Sequence, residues 1–183
     1  MNTPQTLSKQ RQKSALTLLK ADHDKVKQLF KLYEKLAEKE DVAGKTAIAN
    51  EICAELTAHA AAEEEVFYSA AKEKIDDDDL INEADVEHDT AKDLIAQIQI
   101  MSPTNPMYDA KMKVLDEYIT HHVEEEESEM FPKAREADLD LKALGAEFTE
   151  RKEELLEKVQ DSQGNIDPEK LKTLAVEEAS HKH

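Results

Sequence analysis

Two stretches of the chain set histidine and glutamate at helical spacing: "HAAAEEEVFY" (59–68) and "HVEEEESEMF" (122–131). Each reads His, three residues, Glu-Glu, then two residues before an apolar or aromatic pair. Residues four apart on a helix are separated by about 40°. His59 can therefore point inward with Glu63, and His122 with Glu126. Glu64 and Glu127 fall about 140° from their histidines, and Glu124 and Glu125 lie further off-axis than Glu126. The neighbours of His122 and Glu126 are therefore expected mostly to face water, unless a local π-bulge turns His121 or Glu127 inward. In the longer run "HHVEEEESEMFP" (121–132) the plainer copy sets the register. Three alanines follow His59, so its counterpart is His122 and not His121.

A second pair of segments repeats as well. "ADHDKVKQLF" (21–30) aligns without gaps on "VEHDTAKDLI" (86–95), 65 residues later. His23 and His88 occupy positions where the apolar stripe calls for a core residue. A lone histidine on such a stripe is more often packed or hydrogen-bonded than a ligand. Four of them with two in-phase carboxylates are a different case. Burying a carboxylate without compensation costs several kcal/mol. A cation offsets that cost, and neutral imidazoles serve as its nitrogen donors. The set holds no thiolate, and mixed imidazole and carboxylate donors suit iron, manganese or zinc. Two carboxylates able to bridge, supplied by two pseudo-symmetric halves, argue for two ions. Carboxylate-bridged iron leads, with zinc or manganese behind it.

Helices are predicted over 14–40, 45–74, 80–101 and 108–135, with "DVAG" (41–44) and "SPTNP" (102–106) as breaks. "DDDD" (76–79) reads as acidic capping of the third helix, since the ligand spacing of a calcium loop is missing. Pro132 is expected to kink or end the last turn of the fourth. Four long helices on short loops describe an all-α fold, an antiparallel up-down-up-down four-helix bundle with an additional C-terminal helix. In an up-down bundle, helices one and three run in one direction and two and four in the other, which can bring all six side chains to one level. The expected organisation is a bundle over 14–135, an accessory helix on or near it over 136–162, and a flexible C-terminal tail over 163–183. Within that tail only a weak helix is foreseen, and the closing "HKH" reads as a solvated terminus.

Composition agrees. Three glycines and 36% charged residues in 183, with a mean hydropathy of -0.71, require amphipathic helices. A net charge of -18 opposes nucleic-acid binding and suits cations. No apolar run approaches the roughly 18 residues of a membrane span, and the N-terminal residues lack the apolar core of a secretory leader. Cys53 is alone, so no internal disulfide forms, and the expected compartment is the cytoplasm.

On the paired His-x-x-x-Glu-Glu motifs ending in "VFY" and "MFP", with the paired His-Asp helices, the sequence resembles the hemerythrin-like family of HHE cation-binding domains over roughly residues 14 to 135. The resemblance implies a four-helix bundle around a non-haem di-iron centre that handles oxygen, nitric oxide, peroxide or iron itself. It implies ligand roles for His23, His59, Glu63, His88, His122 and Glu126, with Glu63 and Glu126 bridging. The oxygen carriers of that family have a further histidine four residues beyond the third-helix one. Here that position is Lys92, which leaves one ion a ligand short. That weakens an oxygen-carrier role and fits a site that reacts with peroxide or nitric oxide. It equally fits an iron sensor, store or regulatory module without turnover. A ferritin-like carboxylate site is excluded, because Leu56 and Ile119 stand where its Glu-x-x-His pattern needs glutamate. The small-molecule partner is a diatomic gas or a peroxide, and no protein partner is indicated.

Overall fold

The computed structural model describes residues 13–181. Most of the N-terminal segment read for a leader, and the last two residues of "HKH", lie outside that range. Helix α1 (Ala15–Glu38) starts at Ser14, whose Oγ accepts from the Thr17 amide. Its stripe of Leu19, His23, Val26, Phe30 and Tyr33 is buried, as the three- and four-residue steps foretell. The break after it is tighter than expected. Glu40 takes a left-handed φ of 55°, Asp41 caps the next helix through the Gly44 amide, and Val42 to Gly44 are already helical.

The second long helix is α2 (Val42–Ala62), a π turn (Glu63–Tyr68) and α3 (Ser69–Lys74). Cys53 through Ala62 are buried on every face, so α2 is central. Its small side chains let α1, α4, α7 and α8 pack around it. Helix α4 (Asp78–Gln99) is capped by Asp77, which accepts from the Leu80 amide, with Asp78 and Asp79 in its first turn. The acidic run is therefore a helix start. The fourth long helix is α5 (Pro106–Glu125), capped by Asn105, then a second π turn (Glu126–Met130) and α6 (Phe131–Glu136). Pro132 does not end it. It sits in the first turn of α6, directly after the π turn, where a missing amide costs little.

Helix α7 (Leu141–Lys158) lies against α1 and α2. Gly145 allows the contact: a Cβ there would meet the Lys13 carbonyl oxygen at 2.3 Å. The C-terminal segment corrects an expectation. The described part of the expected tail, residues 163–181, is not loose, because α8 (Pro168–Ser180), capped by Asp167, buries Leu171, Leu174 and Ala175 against α2 and α4. Three apolar residues at helical spacing suffice once a neighbouring groove is there to receive them. The result is an all-helical bundle among the described residues, and none of its helices is long and apolar enough to cross a membrane.

Candidate metal centre

Two apolar clusters divide the interior. One gathers Val26, Phe30, Ile52, Leu56, Ala91, Ile95 and Leu115, and the other Leu19, Ala62, Phe67, Ile81, Ala84, Met130 and Phe131. On each helix the site residue falls between a member of one cluster and a member of the other. His23 lies between Leu19 and Val26, and His88 between Ala84 and Ala91. A polar layer is thus held between two apolar plugs.

All six singled-out side chains are buried in that layer. The Nε2 atoms of His88 and His122 are 3.1 Å apart. Glu63 Oε2 lies 3.2 Å from His59 Nε2 and 3.6 Å from His88 Nε2, and Glu126 Oε2 lies 3.2 Å from His23 Nε2. One atom each of Glu63, His88 and His122 falls within 4.8 Å of the others, a spacing that could hold a metal ion. The layer is chemically incomplete as a protein-only cluster. His23 Nε2, both carboxylate oxygens of Glu63 and Oε2 of Glu126 are buried with no hydrogen-bond partner. Such orphans cost free energy unless something else satisfies them, and imidazole nitrogens and carboxylate oxygens are donors of the kind a cation takes.

Each histidine is braced from behind by a carboxylate that takes its Nδ1–H. Asp22 accepts from His59 at 3.1 Å, Glu127 from His23 at 3.0 Å, Glu64 from His88 at 2.9 Å and Glu87 from His122 at 2.7 Å. With Nδ1 donating, Nε2 keeps its lone pair and turns it inward, the tautomer a metal ligand needs. The braces follow the repeat. Asp22 and Glu87 each precede the first histidine of their half and hold the second histidine of that half. Glu64 and Glu127 each hold the first histidine of the opposite half.

Glu64 and Glu127 therefore do not simply face water. A residue about 100° from an inward one lies on the flank of its helix, which in a bundle meets a neighbouring helix. The π turns that begin at Glu63 and Glu126 add a phase change; in the second, the Phe131 amide reaches back to the Glu126 carbonyl. His121, by contrast, is exposed, while His122 is buried.

Cations stand behind the braces. Lys152 of α7 contacts Asp22 at 2.7 Å and Glu55 at 2.8 Å, Lys92 contacts Glu64 at 2.6 Å, and Lys20 contacts Glu127 at 3.0 Å. Burial alone would raise the pKa of Glu64, but the His88 hydrogen bond and charge, with Lys92, outweigh it and bring it to about 2. Asp22 and Glu127 are held low in the same way, against their own burial. Burial pushes His88 down to about 4, which keeps its imidazole neutral. Burial would also lower His23, but the Glu126 carboxylate, 3.2 Å from its Nε2, reverses that, and its pKa is raised. Desolvation and the neighbouring Glu126 charge raise Glu63 well above the carboxylate range. A like charge beside a buried carboxylate favours its neutral form.

Aromatic rings close the layer. Tyr68 stacks on His88 at 5.3 Å, Phe131 on His23 at 6.0 Å, and Phe148 of α7 meets His59 edge-on at 5.8 Å. The Tyr68 hydroxyl donates to Glu126 Oε1 at 3.2 Å. A cavity of about 30 Å³ adjoins the four imidazoles, walled by Val26, Leu56, Ala91, Ile95 and Ile119.

Asp22, Glu87, Lys92 and Lys152 carry roles the motif reading did not assign. The first two were visible as an acid before each histidine, in "ADH" and "VEH". Lys152 left no signal, because nothing local ties α7 to Asp22.

The model of the hemerythrin HHE cation-binding domain matches residues 14–134, the segment that carries every one of these histidines and braces apart from Lys152. The chain belongs to that family. HHE domains are cation-binding by description, which agrees with the orphaned donors of the layer. The chain is also similar to a DNA nickase of Nostoc sp., 32% identical over 118 residues, covering 64% of this chain and 32% of that protein. It thus spans about a third of that relative's length. No solved structure matches the chain significantly.

Proposed function

We propose that this HHE protein is a non-haem di-iron protein that binds or reacts with oxygen, nitric oxide or peroxide, within an antiparallel up-down-up-down four-helix bundle. One observation carries the reading: four orphaned ligand-type atoms converge in a layer whose histidines are all fixed in the ligand tautomer by carboxylates. His23, His59, His88 and His122 would hold the ions, with Glu63 and Glu126 bridging; zinc and manganese are the lesser candidates. When bound, iron supplies Lewis-acid and redox chemistry. The chain's own part is to orient the imidazoles, keep water out with Phe67, Met130 and Phe131, and offer a small apolar cavity. That cavity suits a diatomic gas or a peroxide. Lys92 is committed to Glu64 and is not offered as a ligand in place of the family's further histidine.

The test is the metal content and ultraviolet-visible spectrum of the protein purified in air. About two irons per chain with oxo-bridge charge-transfer bands support the reading, whereas a single zinc or no metal sinks it. His122→Ala is expected to lose metal and His121→Ala to keep the inner pair; the reverse would overturn the register. A second reading, an iron sensor, store or regulatory module without turnover, is favoured by the Nostoc relative, in which the matching region is a third of a longer protein. Peroxide turnover by the iron-loaded chain separates the two. The nicking activity in that relative's name is not carried over, because a net charge of -18 repels phosphate backbones. We assign the protein to the cytoplasm, where the buried thiol of Cys53 stays reduced.

A further inference from the structure

A histidine of α5 that the inner layer does not use stands beside a route into it. His121 Nε2 lies 3.5 Å from Glu125 Oε1, one turn on along the same helix, and 3.9 Å from Glu87 Oε1 on α4. One donor atom of each of these three falls within 4.8 Å of the others, on a partly open surface. Glu87 faces both ways: Oε2 takes the proton of His122 Nδ1 at 2.7 Å while Oε1 faces His121. Behind the triad is a narrow cleft between α4 and α5, with room for about one water-sized body at about 10 Å³. Glu83, Glu87 and Glu125 line it together with His122 and Glu126, and no lysine or arginine does. Glu126 is buried, lines this cleft, and its Oε2 has no hydrogen-bond partner. Glu126 thus joins the cleft to the inner layer, where its Oε2 lies 3.2 Å from His23 Nε2.

The groove over the other histidine pair differs. Beside His23 it carries Lys20 and Lys27 as well as acids, whereas the cleft between α4 and α5 carries no lysine or arginine.

We propose that His121, Glu125 and Glu87 form an outer site for a divalent cation, at the mouth of a route that leads past Glu87 to His122 and Glu126. The donor set, one imidazole and two carboxylates with open positions left for water, suits a labile first-row divalent ion. The cation exchanges water for the outer ligands first and then moves inward along a continuous line of carboxylates. The inward step rests on the proposed function; the outer site itself does not.

The test titrates the metal-stripped full-length chain with Mn(II), counting bound ions from the loss of the free-ion paramagnetic resonance signal. Filling of the inner layer by Co(II) is then followed by its ligand-field absorption. The His121→Ala/Glu125→Gln variant is expected to bind one Mn(II) fewer than the wild type and to fill the inner layer about tenfold more slowly, at unchanged final cobalt absorption. Glu117→Gln, an exposed charge removed elsewhere on α5, should change neither. Equal Mn(II) counts for the double variant and the wild type overturn the outer site. A lower count with an unchanged cobalt filling rate overturns the route. A rate lowered as much by Glu117→Gln reduces the effect to general surface charge and overturns the route as well. Failure of the di-iron reading would show differently, as a wild type in which Co(II) gives no inner-layer absorption and one Mn(II) is still lost on changing His121 and Glu125.

Discussion

The centre is built twice, and its halves differ in what stands behind them. The His23–His59 pair is closed partly by added material: Lys152 and Phe148 of α7 lie against Asp22 and His59, while Phe131, from the bundle itself, covers His23. The His88–His122 pair is closed from within the bundle, by Lys92 and Tyr68, and on its outer side has Glu87 with the exposed His121 beside it. Both halves brace their histidines through the same repeat positions. The halves differ not at these repeat positions but in the groups that hold the braces. The comparison teaches that the asymmetry of such a site resides one layer out from the donor atoms.

The sharpest way to break the comparison is to remove what the halves share. Glu63 approaches both, at 3.2 Å from His59 Nε2 and 3.6 Å from His88 Nε2, while Glu126 approaches His23. Glu63→Ala is expected to drop metal content from about two ions to fewer than one per chain, measured by elemental analysis. Retention of both ions would show that Glu63 does not bridge.

The cations behind the braces give the next largest effect. Lys92 and Glu64 are buried together, at 2% and 7% side-chain exposure, whereas Lys20 is 54% exposed. Stranding a buried carboxylate costs several kcal/mol, and losing an exposed pair costs under about 1. Lys92→Met should therefore destabilise the metal-free chain by about 3 kcal/mol in urea unfolding, and Lys20→Met by less than about 1 kcal/mol. Equal effects would dissolve the distinction between the halves.

Much of this was legible in the sequence, and the reasons for the remainder are physical. The ligand stripe is a matter of phase along single helices, and His59, Glu63, His122 and Glu126 follow from counting. The capping roles of Asp77 and Asn105 are equally local. Glu64 and Glu127 were misplaced because phase says only that a residue leaves the inner face, and the helix flanking it is a tertiary fact. Residues 163–183 read as loose because a short amphipathic helix has no stability of its own; α8 exists through the groove between α2 and α4. Lys152 is the extreme case, 130 residues from Asp22 along the chain and 2.7 Å from it in space.

The repeat-related histidines His23 and His88 should also respond oppositely to acid. His88, lowered from 6.5 to about 4 by burial, binds its proton in the unfolded chain before the folded one. Stability of the metal-free protein then falls as pH drops from about 6.5 to about 4, by about 3 kcal/mol from this group. His23 is raised, so its contribution is present below its ordinary pKa and is lost as pH climbs through the folded value. Urea midpoints of His88→Phe and His23→Phe across pH 4 to 8 check both signs. The first variant should flatten the acid limb and the second the alkaline limb, and flattening of the same limb by both would refute the assignment.

The smallest predicted effect tests the aromatic pair. Tyr68 on His88 and Phe131 on His23 occupy equivalent places in the repeat and stack on equivalent imidazoles; only Tyr68 carries a hydroxyl, and that hydroxyl donates to Glu126. Burial, followed by the charges of Glu126 and Glu63, drives the phenol pKa well above its usual value, so it stays a donor at any physiological pH. Tyr68→Phe makes the two halves alike at this position without opening a cavity. One buried hydrogen bond to a carboxylate contributes about 1 to 2 kcal/mol, so a stability loss of about 1 kcal/mol is expected in the metal-free chain. In the iron-loaded protein, Glu126 would be freed on one oxygen, and the charge-transfer bands should shift while metal content is unchanged. A variant that keeps both its stability and its spectrum would mean that Tyr68 packs against His88 as Phe131 packs against His23, and that the hydroxyl does nothing to set the halves apart.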